Sequence, residues 1–425
     1  MFIALFLFYG EDMSVYAESM LNNGLRVVYA KVPGVKVVSV QAWIKTGSVN
    51  EKPETSGISH FLEHILFKGS KNFKPGEIDS YLDSKGGSNN AFTSLDVTDY
   101  YVTIPEKEAE AAFKVVSDMV FNALFIPDEI EKEKPVVIQE INGKYNNPYY
   151  EMLRDFNETL FKGTPYAMPI IGTPETVNSF TAQQLEEYYR NFYHPCNMVL
   201  VVVGDIDKDK ALDLAEKYFS QKVDVPFKKG YQGGNRVVLE EPVHRVFFVD
   251  ANVEYCMIGC PTDGHDTRKG YTEEVLTEIL SGGEYSLLNQ ELKINNNIAN
   301  YVSCVSYINK FHGCFGAYGV IENGKGEIFK DKAVEILQNV GNGNFDSSGV
   351  EKAKNRLRSD AVFQAEKVSS VANNIGFACV FNNMEYFTNY QKGIDAVTFD
   401  DVCSMAKDFF NGNIYFGETI PKNKK

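Results

Sequence analysis

The feature that most restricts the fold of this 425-residue chain is an internal repeat, because the second half repeats the order of elements in the first. In the first half, two predicted strands at 25–31 and 37–45 precede a loop and a helix. In the second half, predicted strands at 246–249 and 253–260 precede a polar loop and a helix at 271–280. Strands are predicted from alternating apolar residues, and helices from apolar residues three or four positions apart. We therefore expect two similar domains.

The end of each half carries the same signal, a helix that leads into a strand. These pairs lie at 181–192 and 198–203 in the first half, and at 398–409 and 414–416 in the second. Strands and helices interleave with hairpins rather than in strict βαβ units. This order favours an α+β fold, in which each half is a sandwich of helices packed on one face of a mixed, largely antiparallel sheet.

The length of the chain and its composition agree with a two-domain soluble protein. We place the N-terminal domain at 14–222, a linker rich in glycine, lysine and polar residues at 223–236, and the C-terminal domain at 237–425. The net charge of −15 argues against nucleic acid as a partner, because phosphate binding needs the opposite sign. It is compatible with a basic or unfolded peptide.

The cysteines and the N-terminus bear on the compartment. Seven scattered cysteines, several in apolar runs, are typical of buried thiols, which favours a reducing, cytoplasmic setting. The apolar run Met1–Tyr9 is too short to span a bilayer, so we expect no membrane span. Two interpretations of this run stay open. It is a poor secretory signal, which would make the protein secreted or periplasmic, or Met13 is the true start, which we favour.

A histidine pair gives the strongest functional signal. His60 and His64 enclose Glu63 in a His-x-x-Glu-His motif, in a chain with only six histidines. On a helix, these positions share one face, so both imidazoles can reach one zinc ion while Glu63 points to the same side. This is the arrangement of inverted zinc peptidases. The alternative is an ordinary pair of core histidines with Glu63 as a partner.

A catalytic zinc of this type needs a third protein ligand and an open position for water. Among the acids of 127–141, Glu140 stands out because it follows the apolar run 136–138 and precedes Ile141. Glu133 lies seven residues earlier, two helical turns away on the same face. Spacing alone leaves Glu140 one candidate among several acids.

Three segments, 57–69, 86–93 and 136–141, together resemble the pitrilysin/insulinase family of zinc peptidases. The chain is most similar to the two-domain processing-peptidase branch, and within it to the zinc-bearing, beta-type subunit. The resemblance runs from about Leu21 to about Thr419. It implies two homologous domains enclosing a cavity and one zinc ion per chain.

The same resemblance implies roles for individual residues. His60, His64 and Glu140 would bind the zinc, Glu63 would be the general base, and Glu133 would support catalysis. Pro135 lies between the two distal acids, where it should remove a helix hydrogen bond and kink the segment. We therefore expect Glu140, more than Glu133, to be directed towards the metal.

The segment 86–93 resembles the family's edge strand beside the zinc. By this resemblance, Asn90, Ala91, Phe92 and Thr93 would bind an extended substrate through backbone pairing, as an added β-strand. The alternative is an ordinary hairpin turn before a strand at 99–104.

The second half departs from the family pattern at two positions. Self-sufficient relatives carry an arginine and a tyrosine seven residues apart that help to hold the substrate, and here Lys293 and Asn300 match them. Lysine cannot reproduce a bidentate guanidinium contact. We therefore expect a homologous second subunit, giving a heterodimer, with a homodimer as the other possibility.

Taken together, the sequence predicts a zinc-dependent endopeptidase that acts on extended peptides or presequences, as the catalytic subunit of a processing-peptidase-like dimer. Only the first half keeps the metal set. The matching positions of the second half, around 273–278, carry no histidine, and Asp360 stands near the counterpart of Glu140. The alternative is a non-catalytic scaffold or a peptide-binding subunit of a larger complex.

Overall fold

Two mixed β-sheets, one in each half, form the framework of the protein. The computed structural model describes residues 16–223 and 225–422, so the expectations about Met1–Tyr9 and Met13 lie outside the described residues. The first sheet contains β1 (Tyr16–Met20), β2 (Arg26–Lys31), β3 (Val37–Ile44), β4 (Ser88–Thr93), β5 (Thr98–Pro105) and β6 (Met198–Gly204). The second contains β7 (Val243–Val249), β8 (Glu254–Asp263), β9 (Ala299–Ile308), β10 (His312–Ile321) and β11 (Tyr415–Pro421).

Helices connect and cover these strands. The first half has α1 (Ile58–Ile65), α2 (Glu77–Asp83), α3 (Ala109–Asn122), α4 (Pro127–Tyr145), α5 (Tyr150–Leu160), α6 (Pro174–Ser179), α7 (Ala182–Phe192) and α8 (Lys208–Phe219). The second half has α9 (Thr267–Ser281), α10 (Gly326–Gly341), α11 (Ser348–Ala365), α12 (Val368–Val380), α13 (Met384–Thr388), α14 (Tyr390–Ala396) and α15 (Phe399–Phe409). A π-helical segment, Asn289–Asn295, precedes β9.

The two sheets share one topology. Their strand orders are β1-β2-β6-β3-β5-β4 and β7-β11-β8-β10-β9, which match once β1 is set aside. Each sheet has one parallel pair, β2 with β6 and β7 with β11, while its other strands pair in antiparallel fashion. The structure thus confirms the predicted duplication and the α+β fold with a mixed, largely antiparallel sheet in each half.

The outer face of each sheet is covered by a helix from the other half. Helix α12 of the second half packs on β3 and β6, where Val371 and Ile375 share a core with Trp43. Helix α5 of the first half packs on β8 and β11, where Phe156 meets the Tyr415 ring at a centroid distance of 5.3 Å. We call this arrangement the helix exchange.

Two glycines permit the close approach that the helix exchange needs. A Cβ on Gly376 of α12 would lie 2.0 Å from the Trp43 ring. A Cβ on Gly259 of β8 would lie 2.7 Å from the Phe156 ring. Both positions therefore need the smallest residue, since real Cβ atoms do not come so close to a packed ring.

The predicted linker, 223–236, contains no helix or strand among its described residues, and its boundaries stay a prediction. It is nevertheless anchored, because the Tyr231 backbone N–H donates to Asn50 Oδ1 at 2.7 Å. A cavity of about 560 Å³ is lined by residues of both halves, among them Asp96 and Glu274. The histidines of the His-x-x-Glu-His motif do not line it.

The thiols and the helices bear on the remaining general expectations. All seven cysteines are free, and Cys256, Cys260, Cys314 and Cys379 are buried. Among the helices of residues 16–223 and 225–422, none combines the length and the apolar character that crossing a bilayer requires.

Candidate metal centre

Helix α1 carries the His-x-x-Glu-His motif and is held in place by its buried face. Ile58, Phe61, Leu62 and Ile65 are buried in the first core, which leaves His60, Glu63 and His64 on the opposite, partly open side. The helix starts after Gly57, which adopts a left-handed conformation (φ 91°) and packs so closely on Gly172 that a Cβ would lie 2.7 Å from its Cα. Only glycine suits both constraints.

Helix α4 supplies the two acids that the sequence singled out. It runs unbroken from Pro127 to Tyr145 with Pro135 inside it. Pro135 lies on the exposed side, where water can satisfy the carbonyl that loses its partner. Despite Pro135, Glu133 and Glu140 both face α1, but only the carboxylate of Glu140 lies near Nε2 of both histidines, whereas Glu133 contacts Nδ1 of His64.

The nitrogens of both histidines converge on one carboxylate oxygen. Nε2 of His60 and Nε2 of His64 each lie 3.7 Å from Oε2 of Glu140. The possible ligand atoms of the three residues all lie within 4.8 Å of one another. Ligands of a tetrahedral zinc, each at about 2.0–2.1 Å, are separated by about 3.3–3.4 Å. The donor set therefore fits a zinc ion.

Glu133 orients the second histidine. Its Oε1 lies 2.9 Å from Nδ1 of His64, and its other oxygen pairs with Nζ of Lys68 at 2.7 Å. When Nδ1–H donates to Glu133, Nε2 keeps its lone pair for a metal, as in carboxylate–histidine–zinc triads. Although burial opposes it, the hydrogen bonds from His64 and Lys68 lower the pKa of Glu133, which keeps it anionic.

The protonation of the motif residues also suits metal chemistry. Burial, with a smaller contribution from His64, lowers the pKa of His60 to about 3, so this imidazole is neutral and able to bind a metal at neutral pH. Burial raises the pKa of Glu63, and a hydrogen bond from Thr93 Oγ1 to Glu63 Oε2 at 2.6 Å opposes that shift.

The segment expected to hold the substrate forms β4, which is an edge strand of the first sheet. It pairs with β5 in antiparallel fashion through a tight connection in which Ser94 N–H donates to the carbonyl of Val97 at 2.8 Å. Residues 88–93 of this segment are therefore an edge strand, and the hairpin turn lies after them, at 94–97.

The side chains of β4 already have contacts of their own. Asn90 Oδ1 accepts the Ala91 backbone N–H at 2.9 Å, and Thr93 bonds Glu63. Phe92 packs against the Trp43 ring at 5.4 Å, beneath α12. What β4 offers an extended peptide is therefore its backbone and not the Phe92 side chain.

The corresponding place in the second half is closed by an ion pair. Arg356 of α11 lies 2.7 Å from Glu278 of α9 and donates to the Gly282 carbonyl at 2.9 Å. Lys293 and Asn300 are both exposed, the first in the π-helical segment and the second in β9. The second half therefore keeps the layout of the first without its metal-binding side chains.

Sequence reasoning missed the residues that support the metal set. Lys68, which neutralises Glu133, follows His64 by four residues, so helical spacing would have indicated it. Glu51, whose carboxylate accepts the backbone N–H groups of Gly57 and Ser59, gives no such signal, because it precedes the helix in an irregular segment.

Comparison with known proteins identifies relatives of both halves. The family described as Insulinase (Peptidase family M16) matches residues 26–174, and the one described as Peptidase M16 inactive domain matches residues 179–357. A zinc protease of Bacillus subtilis, YmxG, is 30% identical over 82% of this chain and 84% of its own length. The zinc protease PqqE of Helicobacter pylori is 27% identical over 92% of this chain and 89% of its own.

Solved structures show the same fold. A protease from Helicobacter pylori superimposes with a TM-score of 0.90 at 24% identity, covering 96% of this chain and 99% of that one. A Pseudomonas fluorescens structure described as a peptidase M16 inactive domain gives a TM-score of 0.86 at 15% identity, covering 96% of this chain and 98% of that one.

Proposed function

Because this chain belongs to the insulinase family of peptidases, family M16, we propose that it is a zinc-dependent endopeptidase of extended peptides. The observation that carries the proposal is the convergence of His60, His64 and Glu140, whose possible ligand atoms lie within 4.8 Å of one another. Glu63, on the same face of α1, would be the general base that peptide hydrolysis needs.

Each residue of the set has a distinct task. A zinc ion held there supplies Lewis acidity, which acidifies water and polarises a carbonyl oxygen. Glu63 accepts the proton of the attacking water and passes it to the leaving amine. Burial raises the pKa of Glu63 towards the range in which a carboxylate both takes and returns a proton. Thr93 holds one oxygen of Glu63 and so directs the other towards the reacting water.

The substrate class follows from β4. An edge strand recognises a partner through main-chain hydrogen bonds, which only an extended segment can make. The Ala91 N–H, now bonded to Asn90 Oδ1, would be released to the substrate backbone when a peptide pairs with β4. Unfolded peptides and presequences meet this requirement.

The absence of the family's arginine and tyrosine supports the proposal that this chain works with a partner subunit. Lys293 and Asn300 occupy their positions, so a homologous second chain would supply the pair in a heterodimer. Full peptidase activity of the purified chain as a monomer or homodimer would contradict this part of the proposal. The free thiols favour a cytoplasmic location, which cell fractionation would check.

Glu63→Gln is the experiment that tests the function. We expect the variant to keep one zinc ion per chain while its kcat on an unstructured peptide falls by about 10²–10⁴-fold. Glu54→Gln, an exposed acid before the same helix, is the control that should keep full activity. Chelator-insensitive cleavage, or no cleavage by the zinc-loaded wild type with any co-purifying homologue, would favour a scaffold or a peptide-binding subunit.

A further inference from the structure

The short metal helix depends on one buried carboxylate for its first turn. Helix α1 has only eight residues, and His60 is its third. The N–H groups of a first turn have no partner within the helix. Both oxygens of Glu51 supply that need, accepting from Gly57 N at 2.6 Å and from Ser59 N at 2.8 Å. The Glu51 residue is only 7% exposed.

A tyrosine on α7 holds the side chain that precedes the first histidine. The Tyr188 hydroxyl lies 2.8 Å from Ser59 Oγ and 2.9 Å from Thr46 Oγ1. It is also 3.3 Å from the Gly47 carbonyl, to which it can donate. Ser59 is fully buried, so its hydroxyl has no access to water instead. The direction of His60 is therefore tied to the position of this phenol.

Hydrogen bonds lead from Tyr188 to the backbone of Tyr231, and the Tyr231 side chain extends the connection to the second half. Asn50 Nδ2 donates to Thr46 Oγ1 at 3.0 Å, and its Oδ1 accepts the Tyr231 N–H at 2.7 Å. The Tyr231 hydroxyl then bonds Nε2 of His312, on β10, at 3.0 Å. This network, which we call the relay, consists of His312, Tyr231, Asn50, Thr46, Tyr188 and Ser59.

We propose that Glu51 and Tyr188 are positioning residues for the metal helix, and that Tyr231 connects Tyr188 to the second half. The inference rests on the proposed function and adds a role for the second half, which biases the metal centre through the linker. A purely structural role would make these residues ordinary buried polar groups, whose loss lowers stability and nothing else. Zinc affinity separates the two readings, because metal binding depends on how α1 presents its imidazoles.

The chain offers a matched pair of variants on one helix. Tyr188→Phe removes the hydroxyl that touches Ser59, whereas Tyr189→Phe removes one that donates to the Val120 carbonyl at 2.8 Å, away from the relay. Zinc affinity is measured by competition with a chelating dye, and stability by thermal unfolding. We expect the zinc Kd to rise by about 2- to 30-fold in Tyr188→Phe and to stay unchanged in Tyr189→Phe.

The link to the second half has its own variant. Tyr231→Phe keeps the backbone bond to Asn50 and removes the bond to His312, so its zinc Kd should rise by less than that of Tyr188→Phe. A wild-type Kd in Tyr188→Phe, or equal losses in both α7 variants, would overturn the proposal. If Tyr188→Phe does not fold, Ser59→Ala removes the same contact from the other side.

The readout does not depend on turnover. A wild-type chain that binds zinc but cleaves nothing even together with its co-purifying homologue would refute the proposed function, and the positioning role would still stand or fall on the two Kd values. With an active enzyme, Tyr188→Phe should lower kcat with little change in KM, because the relay contacts the helix and not the substrate strand.

Discussion

Replacing Glu133 by glutamine is the sharpest test of how the metal centre is held. Glutamine keeps the shape of the side chain and an acceptor oxygen for Nδ1 of His64, now 2.9 Å from Oε1. The change removes the charge that pairs with Lys68 at 2.7 Å. The Glu133 side chain is only 6% exposed, so solvent screens this loss weakly.

The magnitude follows from the kind of contact that is lost. Hydrogen bonds to a charged partner are about twice as strong as neutral ones. Removing an outer partner of a metal-bound histidine costs about 10- to 100-fold in metal affinity, or about 1.4–2.8 kcal/mol. We therefore expect the zinc Kd of Glu133→Gln to rise within that range, with Glu63, the proposed general base, untouched.

A control on the same helix makes the measurement specific. Glu131→Gln removes the same unit of charge from α4, but Glu131 is 68% exposed and pairs with Lys134 rather than with a histidine of the motif. Both variants are titrated with zinc against a chelator of known affinity. If Glu133→Gln bound zinc as tightly as the wild type, the bond to His64 would not orient the ligand. Equal weakening in Glu131→Gln would instead indicate a general effect of charge.

Three further outcomes follow from the fold and the site. Phe156→Ala should cost about 3–5 kcal/mol of unfolding free energy and lower the stability of both halves in one urea transition. Phe363→Ala, at an exposed position, should change the stability little. Two separate unfolding transitions would contradict the helix exchange. Burial raises the pKa of Glu51 to about 7 from its ordinary 4.5. The contribution of Glu51 to stability is therefore complete below the ordinary pKa and is lost as the pH rises through the raised pKa. The wild type should lose stability relative to Glu51→Gln between about pH 5 and pH 8, and parallel pH profiles of the two proteins would refute the burial argument. Zinc at about 100 times its Kd should stabilise the wild type by about 2.7 kcal/mol and raise its Tm, but leave His60→Ala unchanged, and an equal rise in that variant would place the ion elsewhere.

Local patterns in the sequence predicted the elements that carry the chemistry. The spacing of His60, Glu63 and His64 is a property of one helix turn, so it could be interpreted without a fold. The identity of Glu140 as the facing acid could not, because spacing alone did not separate it from the other acids of α4, and the family resemblance supplied that choice. The metal and catalytic roles of all these residues remain proposals that the geometry supports.

The contacts between distant segments were beyond local reasoning. Periodicity tells which face of α5 or α12 is apolar, but not which sheet that face will cover, so the helix exchange could not be predicted. The effect of Pro135 on the direction of Glu133 could not be predicted for a related reason, since it depends on whether the proline ring faces solvent or the core. The contacts of Glu51 and Tyr188 with α1 could not be predicted, because they depend on how the fold brings separate segments together at this helix.

The helix exchange gives the second half a structural role, although it lacks the His-x-x-Glu-His motif. Val28, Val201 and Val203 of the first sheet lie in a core completed by α12, so removing the second half would strip them of their cover and expose them to water. Each half thus contributes a helix to the hydrophobic core of the other half. A chain cut between the two halves would therefore leave an uncovered apolar sheet face on each fragment.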